Sequence, residues 1–274
     1  MKFPIGMQSF DQIREEGFVY VDKTALVYDL VTNGKIYFLS RPRRFGKSLL
    51  ISTLENYFLG RKELFQGLAI DSLEKEWAEY PVFHLDFNGI NFKQPHALEE
   101  TLQDFIDDAE KKYGITSSKQ QIGLRFNDIL EAAHEKTGRR AVVLIDEYDM
   151  PLLEVMNTGI PSPVVEGDIK TLEDYNRNIL KGFYSVFKLA DKHLRFVLLT
   201  GVTKFSQVSV FSGFNQPDDI SCDGRYDALC GITKDELLTV FREQIKELGK
   251  ANGLNEEETI AKLKRKYDGY HFSE

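Results

Sequence analysis

The order of apolar and amphipathic segments predicts an α/β fold with a parallel sheet, followed by a small helical segment. Continuous apolar runs at 141–146 and 195–199 are typical of inner strands that are covered on both faces. Amphipathic stretches separate such runs, and strands that alternate with helices imply a parallel sheet with right-handed crossovers. After Gly231 the alternation stops and only helical patterns follow. The length of 274 residues suits one large domain with a small appendage.

The individual elements follow one another in the order that this alternation requires. Strands are predicted at 36–39, 81–86, 141–146 and 195–199, with a short fifth strand near 228–230. Helices are predicted at 22–32, 47–59, 97–112, 118–136 and 171–190. Residues 155–170 contain two glycines and two prolines, and this composition predicts a surface loop.

A capping pattern marks the start of the C-terminal helical segment. Thr233 is followed three residues later by Glu236, so a hydroxyl and a carboxylate can satisfy the first free amides of a helix. We expect a helix of about four turns here, and a second helix near 255–267. The sequence therefore predicts a core at 1–232, which includes an N-terminal helical segment, and a helical lid at 233–274.

A short basic segment with the pattern of a P-loop follows the first predicted strand and opens the next helix. In a P-loop, backbone amides and the helix N-terminus hold phosphate oxygens, which predicts binding of a nucleoside triphosphate. Lys47 would neutralise the β- and γ-phosphates, and the Ser48 hydroxyl would ligate Mg²⁺. The candidate nucleotide-binding residues are Arg41, Pro42, Arg43, Arg44, Phe45, Gly46, Lys47, Ser48 and Leu49.

This segment departs from the general pattern at one position, because Arg41 stands where a P-loop has its first glycine. A basic loop at a helix start is the alternative interpretation of the Gly-Lys-Ser tripeptide. Guanidinium groups fit phosphate oxygens, so we expect one of Arg41, Arg43 and Arg44 to contact the phosphates. The alternative for these arginines is a solvated basic edge.

Two carboxylates end the clearest apolar strand. Asp146 and Glu147 directly follow the run at 142–145, which is the arrangement of a Walker B motif. Asp146 would hold Mg²⁺ through its water shell, and Glu147 would be the catalytic residue that polarises the attacking water. An acidic strand end that faces solvent is the alternative. With the basic segment, the pair predicts a P-loop NTPase three-layer sandwich that binds ATP and Mg²⁺.

The strand at 195–199 ends in hydroxyl residues. Many ATPases have a polar residue at the tip of the strand beside the Walker B strand, where it contacts the γ-phosphate or the attacking water. We expect Thr200 to have this catalytic role, with Thr203 as the second choice. A hydroxyl that only caps the strand end is the alternative.

Composition argues against several other classes of protein. The net charge of −8, from 35 basic and 43 acidic residues, disfavours a general nucleic-acid coat. The histidines lack metal-ligand spacing, and there is no Gly-x-Ser-x-Gly nucleophile elbow. Cys222 and Cys230 form no Cys-x-x-Cys pair. No apolar run approaches the ~20 residues needed to cross a bilayer, so we expect a cytoplasmic protein with no membrane partner.

At these motifs the chain resembles the predicted AAA-ATPase-like family of bacterial P-loop proteins, which often carry a C-terminal PD-(D/E)XK nuclease-like domain. The matching stretches are 18–24, 41–48, 144–149, 199–202, 210–215 and 267–270. An arginine at position 41 is usual in this family. The missing glycine is therefore a departure from P-loops in general and not from the family.

The resemblance implies two further points. The segment Asp22 to Thr24 precedes the first strand, near where related ATPases hold the base or ribose, so it would line the nucleotide pocket. A helix N-cap is the alternative for this segment. Such proteins usually continue beyond the motif at 267–270 into the nuclease-like domain, which lies outside this sequence. Any contact with nucleic acid would then be indirect, through that domain.

The sequence thus predicts a magnesium-dependent ATP-binding protein and an ATPase, a hydrolase that couples its nucleotide state to a partner or to the C-terminal domain. A nucleotide-dependent switch with little hydrolysis and an interaction module without enzyme activity are the alternatives. The presence of Glu147 favours hydrolysis, because a pure binder has no need of this glutamate. The absence of an Asn-Lys-x-Asp motif favours ATP over GTP. An oligomer is compatible with the sequence.

Overall fold

The structure is a computed structural model that describes residues 1–203 and 217–267. Its central strands are β1 (Ile36–Ser40), β2 (Val82–Asp86), β3 (Ala141–Asp146), β6 (Leu194–Gly201) and β7 (Asp218–Asp219). They form one parallel sheet in the order β2-β3-β6-β1-β7. A separate antiparallel hairpin consists of β4 (Pro161–Glu166) and β5 (Ile169–Thr171). The four longer strands of the sheet confirm the predicted ones.

Helices precede, connect and follow these strands. They are α1 (Phe10–Glu15), α2 (Thr24–Asn33), α3 (Lys47–Phe58), α4 (Ala69–Leu73), α5 (Ala97–Tyr113), α6 (Ile122–Thr137), α7 (Met150–Leu153), α8 (Leu172–Tyr184), α9 (Val186–Leu189), α10 (Lys234–Val240), α11 (Arg242–Asn252) and α12 (Glu256–Tyr267). Within the described ranges, no helix is long and apolar enough to cross a membrane.

Both faces of the sheet are covered by helices. Because side chains of a strand alternate between the two faces, Val143 and Ile145 of β3 pack with apolar residues of α5, α6 and α8. Val142 and Leu144 face the other way and pack with residues of α2 and α3. All six residues of β3 are buried, which explains its continuous apolar sequence. The result is the three-layer α/β sandwich that the sequence predicts.

The strand order brings the carboxyl ends of three strands together. Strand β6 lies between β1 and β3, although it comes last of the three in the chain. In the register, Ser40 of β1 is opposite Gly201 of β6, and Ile145 of β3 is opposite Leu199 of β6. The segments that follow Ser40 and Ile145 therefore lie on either side of Thr200, at the edge of the sheet where ligands bind in open α/β folds.

The predicted fifth strand and the predicted loop at 155–170 are among the elements that differ from the structure. The fifth strand is at Asp218–Asp219, and residues 228–230 form a turn instead. The predicted loop at 155–170 contains the β4–β5 hairpin, in which Glu166 pairs with Ile169. Gly167 and Asp168 form its two-residue turn, a sequence that is typical of tight hairpins. The prolines concealed this hairpin because they are rare in inner strands but tolerated in edge strands.

The C-terminal helices make few buried contacts. Thr233 and Glu236 form the predicted capping box of α10. None of the α10 residues is buried, and α11 and α12 bury only Ile245, Gly249 and Thr259. The single four-turn helix expected here is interrupted at Phe241, whose ring stacks on Phe3 with a centroid distance of 6.0 Å.

Candidate functional site

The basic segment forms a turn between β1 and the N-terminus of α3. Gly46 has a φ of 89°, a left-handed conformation that favours glycine, and its carbonyl accepts the amide of Leu50 at 3.0 Å. Arg44 also has a positive φ, of 68°. The turn therefore ends where the free amides of α3 begin, which is the geometry that binds anions at a helix N-terminus.

Lys47 is buried at the start of α3 and has two partners. Its Nζ donates to the carbonyl oxygen of Arg41 at 3.2 Å and lies 3.1 Å from Oε1 of Glu147. Only 4% of the Lys47 residue is exposed. The sheet thus brings together two residues that are 100 positions apart in the chain and that the sequence assigned to one site.

Asp146 and Thr200 are joined across neighbouring strands. The Thr200 hydroxyl donates to Oδ1 of Asp146 at 2.5 Å, and the Glu147 amide donates to the same oxygen at 3.0 Å. Both residues are buried. Since both bonds end on Oδ1, the second oxygen, Oδ2, is the one available for a cation or its water shell.

Glu147 is held in a backbone conformation that non-glycine residues rarely adopt, with a φ of 51°. Burial raises the pKa of its carboxyl, and the nearby Lys47 ammonium opposes this shift only in part. Oε2 of Glu147 is buried, and no donor among residues 1–203 and 217–267 bonds to it. A buried acceptor of this kind is suited to bind a water molecule or a ligand hydroxyl.

The three arginines of the turn differ in orientation. Arg41 is 1% exposed, and its guanidinium donates to the carbonyl oxygens of Ser221 at 2.5 Å and Tyr226 at 3.4 Å. This side chain therefore ties the turn to the 221–226 segment, and the part of Arg41 that faces Lys47 is its carbonyl. Arg43 and Arg44 are exposed, which leaves them as the arginines able to reach a phosphate.

The oxygen donors of the site fit a hard divalent cation. Ser48 is half-buried in the first turn of α3, and Asp146 faces the same side of the sheet as α3, since its strand neighbours Val142 and Leu144 pack there. A hydroxyl and a carboxylate are ligands that Mg²⁺ prefers, with water completing its shell. In the described part of the chain, no group of three or more His, Cys, Asp or Glu side chains forms a metal cage.

A largely apolar cavity of about 520 Å³ adjoins the turn. Arg44, Phe45 and Gly46 form one wall, and the N-terminal segment contributes another, with Tyr20 and Lys23 among its residues. Leu237 and Phe241, from the start of the C-terminal helices, also line it. A volume of this order fits a small organic ligand. The sequence offered one indication of this cavity, the segment at 22–24.

Lys23 connects the cavity to α10. Its ammonium lies 2.5 Å from each carboxylate oxygen of Glu236, and Lys23 is 9% exposed. Burial acts to raise the pKa of Glu236, but the bond from Lys23 and the capping bonds from Thr233 outweigh it, so the pKa is lowered. The N-cap residue of α2 is Lys23, whose side chain makes no capping bond, while the Asp22 carboxylate accepts the Thr24 amide at 2.8 Å. Lys23 lines the cavity, and a nucleotide contact of this segment stays a prediction.

Thr203, the second choice for the catalytic hydroxyl, is engaged elsewhere. Its hydroxyl and its amide both donate to Oδ2 of Asp149. Asp149 carries no role in the sequence interpretation, although it belongs to the Asp-Glu-Tyr-Asp stretch at 146–149. The sequence did contain an indication of this role. Asp149 stands between Tyr148 and Met150, and a charged residue in a segment that packs against the sheet needs polar partners there.

The fold and this site together define a P-loop NTPase-like α/β protein. The chain belongs to the predicted AAA-ATPase family, AAA-ATPase-like, whose model matches residues 4–211. This membership confirms the resemblance drawn from the motifs and indicates nucleotide binding. The residues that would hold the nucleotide and the cation remain predictions.

One curated relative covers almost the whole chain. It is described as an uncharacterized protein in the vnfD 5′ region of Azotobacter chroococcum mcd 1, and it is 39% identical over 274 residues. The match takes in 99% of this chain but 49% of the relative, so the chain spans about half the length of that protein. No solved structure matches.

Proposed function

We propose that this protein binds ATP with Mg²⁺ at the turn 41–49 and hydrolyses it. The observation that carries the proposal is the contact between Lys47 and Glu147 at 3.1 Å, with the Asp146–Thr200 pair beside it. A cation for phosphates, a carboxylate for the metal and a carboxylate for water thus meet at one edge of the sheet. These are the parts that phosphoryl transfer requires.

The phosphates would bind at the N-terminus of α3. The amides of the turn and of the first helical residues supply donors, and Lys47 supplies the charge. Arg43 and Arg44 are the guanidinium groups free to extend towards the phosphate oxygens. Bound Mg²⁺ would offset the phosphate charge, with Ser48 and Asp146 as its protein oxygens.

The nucleoside would occupy the 520 Å³ cavity, because this cavity begins at Arg44, Phe45 and Gly46. Its apolar lining suits the faces of a base, and no guanine-reading Asn-Lys-x-Asp motif exists in the chain, which favours adenine. Leu237 and Phe241 contribute to the lining, so a bound nucleoside would contact both the core and the C-terminal helices. This contact supports a lid function for 233–267.

Glu147 would orient and polarise the attacking water. The raised pKa of its carboxyl is suited to a group that accepts a proton, and Oε2 has no donor among the described residues. Thr200 would hold Asp146 and contact the γ-phosphate or the water from the intervening strand. Nucleotide-dependent movement of the lid would then act on a partner or on an attached domain.

The direct test is to measure ATP binding by calorimetry and phosphate release on the purified chain, with and without Mg²⁺. We expect magnesium-dependent binding and slow but measurable turnover that is lost in Glu147→Gln. Binding without any turnover would identify a nucleotide-dependent switch instead. Absence of binding at millimolar ATP would overturn the proposal and leave an interaction module.

A further inference from the structure

Asp149 is a buried carboxylate whose hydrogen bonds, among residues 1–203 and 217–267, come from the tip of β6. It is 0% exposed. Its Oδ2 accepts the amides of Val202 at 3.2 Å and Thr203 at 2.7 Å, and it also accepts the Thr203 hydroxyl at 2.5 Å. All three bonds end on one oxygen. The first two residues after β6 are therefore fixed to the residue that ends the Asp-Glu-Tyr-Asp stretch.

A buried carboxylate of this kind is costly to maintain. Among residues 1–203 and 217–267, no lysine, arginine or histidine forms an ion pair with Asp149. Removing an ionised carboxylate from water without a cation is strongly unfavourable unless hydrogen bonds replace the solvent. The hydrogen bonds from residues 202 and 203 are thus the interactions that hold the Asp149 side chain in place. The same bonds restrain the backbone of 202–203 at the tip of β6.

The same two segments are joined at several further points, one of which is the contact of the Tyr148 hydroxyl with the Thr203 hydroxyl at 3.3 Å. The Tyr148 amide donates to the Thr200 carbonyl at 2.9 Å, and the Thr200 hydroxyl donates to Asp146. Gly201 is packed against the 148–149 segment. A Cβ at this position would lie 2.5 Å from the Tyr148 ring and 2.7 Å from Oδ1 of Asp149. Only glycine permits so close an approach.

We infer that Asp149 is a positioning residue, which fixes the tip of β6 so that Thr200 keeps its place beside Asp146 and Glu147. Thr200 is followed directly by Gly201 and the two residues that Asp149 holds, so a displacement of 202–203 is passed to Thr200 through one residue. Small misplacements of catalytic groups reduce rates steeply. The effect of Asp149 on turnover rests on the proposed ATPase function, whereas its effect on the strand tip does not.

Geometry and charge at position 149 can be separated, because an asparagine carbonyl in the place of Oδ2 can accept the same three bonds. We therefore compare Asp149→Asn with Asp149→Ala. Amide hydrogen exchange at 202 and 203 reports the strand tip, and ATP affinity and turnover report the site. Asp128→Ala is the control, since that aspartate lies in α6 and accepts a bond from Ser117 of the preceding loop, with no bond to the 146–149 or 200–203 segments among the described residues.

We expect Asp149→Ala to lose protection at 202 and 203 and to lower turnover by about 100-fold with ATP affinity retained. Asp149→Asn should keep both the protection and most of the turnover. Unchanged protection in Asp149→Ala would overturn the inference. So would an Asp149→Asn protein that keeps protection but loses turnover as fully as the alanine variant, because the charge itself would then be required.

Two further outcomes remain decisive. If the wild-type protein binds ATP without turnover, the proposed hydrolysis fails, and the amide protection alone decides the role of Asp149. If Asp149→Ala does not fold, Thr203→Val replaces it, because that change removes the hydroxyl bond to Oδ2 together with the 3.3 Å contact between the Thr203 and Tyr148 hydroxyls. Tyr148→Phe is its control, since it removes the contact between the two hydroxyls and keeps the bond to Oδ2. Faster exchange at 203 supports the inference, and unchanged exchange overturns it.

Discussion

The ammonium of Lys47 lies 3.1 Å from Oε1 of Glu147, and both side chains are nearly buried, with 3% and 11% exposed. The pair joins the residue that would neutralise phosphates to the residue that would activate water. Without a nucleotide, the ammonium and the carboxylate partly compensate each other's charge in a site that is largely shielded from water. A triphosphate bound at the turn would compete for Lys47 and release Glu147 for its task. In the proposed function, binding and activation would therefore be linked through one ion pair.

Lys47→Ala should abolish tight triphosphate binding. The change removes charge-assisted bonds to the phosphates, which together contribute about 3 kcal/mol or more, equivalent to at least about a 100-fold rise in Kd. Calorimetry with ATP and Mg²⁺ measures this directly. Lys262→Ala, an exposed lysine of α12, serves as control and should bind like the wild type. Equal affinities for both variants would remove the P-loop assignment.

Glu147→Gln should retain ATP binding and lose hydrolysis. Glutamine is nearly isosteric, so the fold and the cation site are preserved, but a neutral amide cannot accept the proton of the attacking water. Because the substitution also removes the charge that pairs with Lys47, we expect ATP affinity to be equal or higher. Single-turnover phosphate release and calorimetry test the two effects separately. Unaltered turnover would restrict Glu147 to a structural role.

As the pH is lowered, turnover should begin to fall at a higher pH than it would if Glu147 had the pKa of an ordinary glutamate. Burial raises the pKa of the Glu147 carboxyl, with Lys47 offsetting part of the shift. The active form is the carboxylate, so activity is full above this raised pKa and is lost as the pH falls through it. The measurement is a profile of kcat/KM for MgATP against pH, because this ratio reports the groups of the nucleotide-free protein. A profile with no acid limb above about pH 4.5, the usual range for glutamate, would contradict this prediction.

The free energy of unfolding should fall with acidity because of His193. Burial, followed by the charge of Lys192, lowers the pKa of this histidine, whose Nδ1 lies 3.1 Å from Nδ1 of His134. A depressed pKa means that the stabilisation is complete above the unfolded value of about 6.5 and is lost as the pH falls below it. Urea unfolding between about pH 7 and pH 5 should therefore show a smaller pH dependence in His193→Asn than in the wild type.

Lys119→Ala, a change at an exposed lysine, is the control for this comparison. It should show the wild-type slope. Identical slopes for the wild type and His193→Asn would mean that other groups govern the acid sensitivity.

Residues 234–267 should exchange amide hydrogens faster than β3 in the absence of nucleotide. The reason is their sparse burial, since α10 contributes no buried residue and α11 and α12 contribute three. A non-hydrolysable ATP analogue with Mg²⁺ should slow this exchange by joining the two parts through the cavity. Two results would argue against a lid. One is amide exchange in 234–267 that is already as slow as in Ala141–Asp146 without nucleotide, and the other is exchange that does not change when the analogue binds.

Patterns of neighbouring residues predicted the strands whose burial is visible in their own sequence. Strand β3 was predicted residue by residue, because a fully buried strand has a continuous apolar sequence. The Arg41 side chain illustrates the limit. Its residue type suggested phosphate contact, but its guanidinium bonds to carbonyls about 180 positions away, at Ser221 and Tyr226. The Lys23–Glu236 pair joins residues that are 213 positions apart, so no pattern of neighbouring residues could predict it. Long-range polar pairs are set by the packing of the whole sheet.

The carboxylate of Glu236 belongs to two structures at once. It caps α10 by accepting the Thr233 amide at 2.8 Å, and it receives Lys23 from the wall of the cavity. An occupant that draws Lys23 away would therefore weaken the first turn of α10 without any signal from the phosphate end. If a base occupies the cavity as proposed, its presence would change the contacts of the C-terminal helices independently of whether the γ-phosphate is still attached.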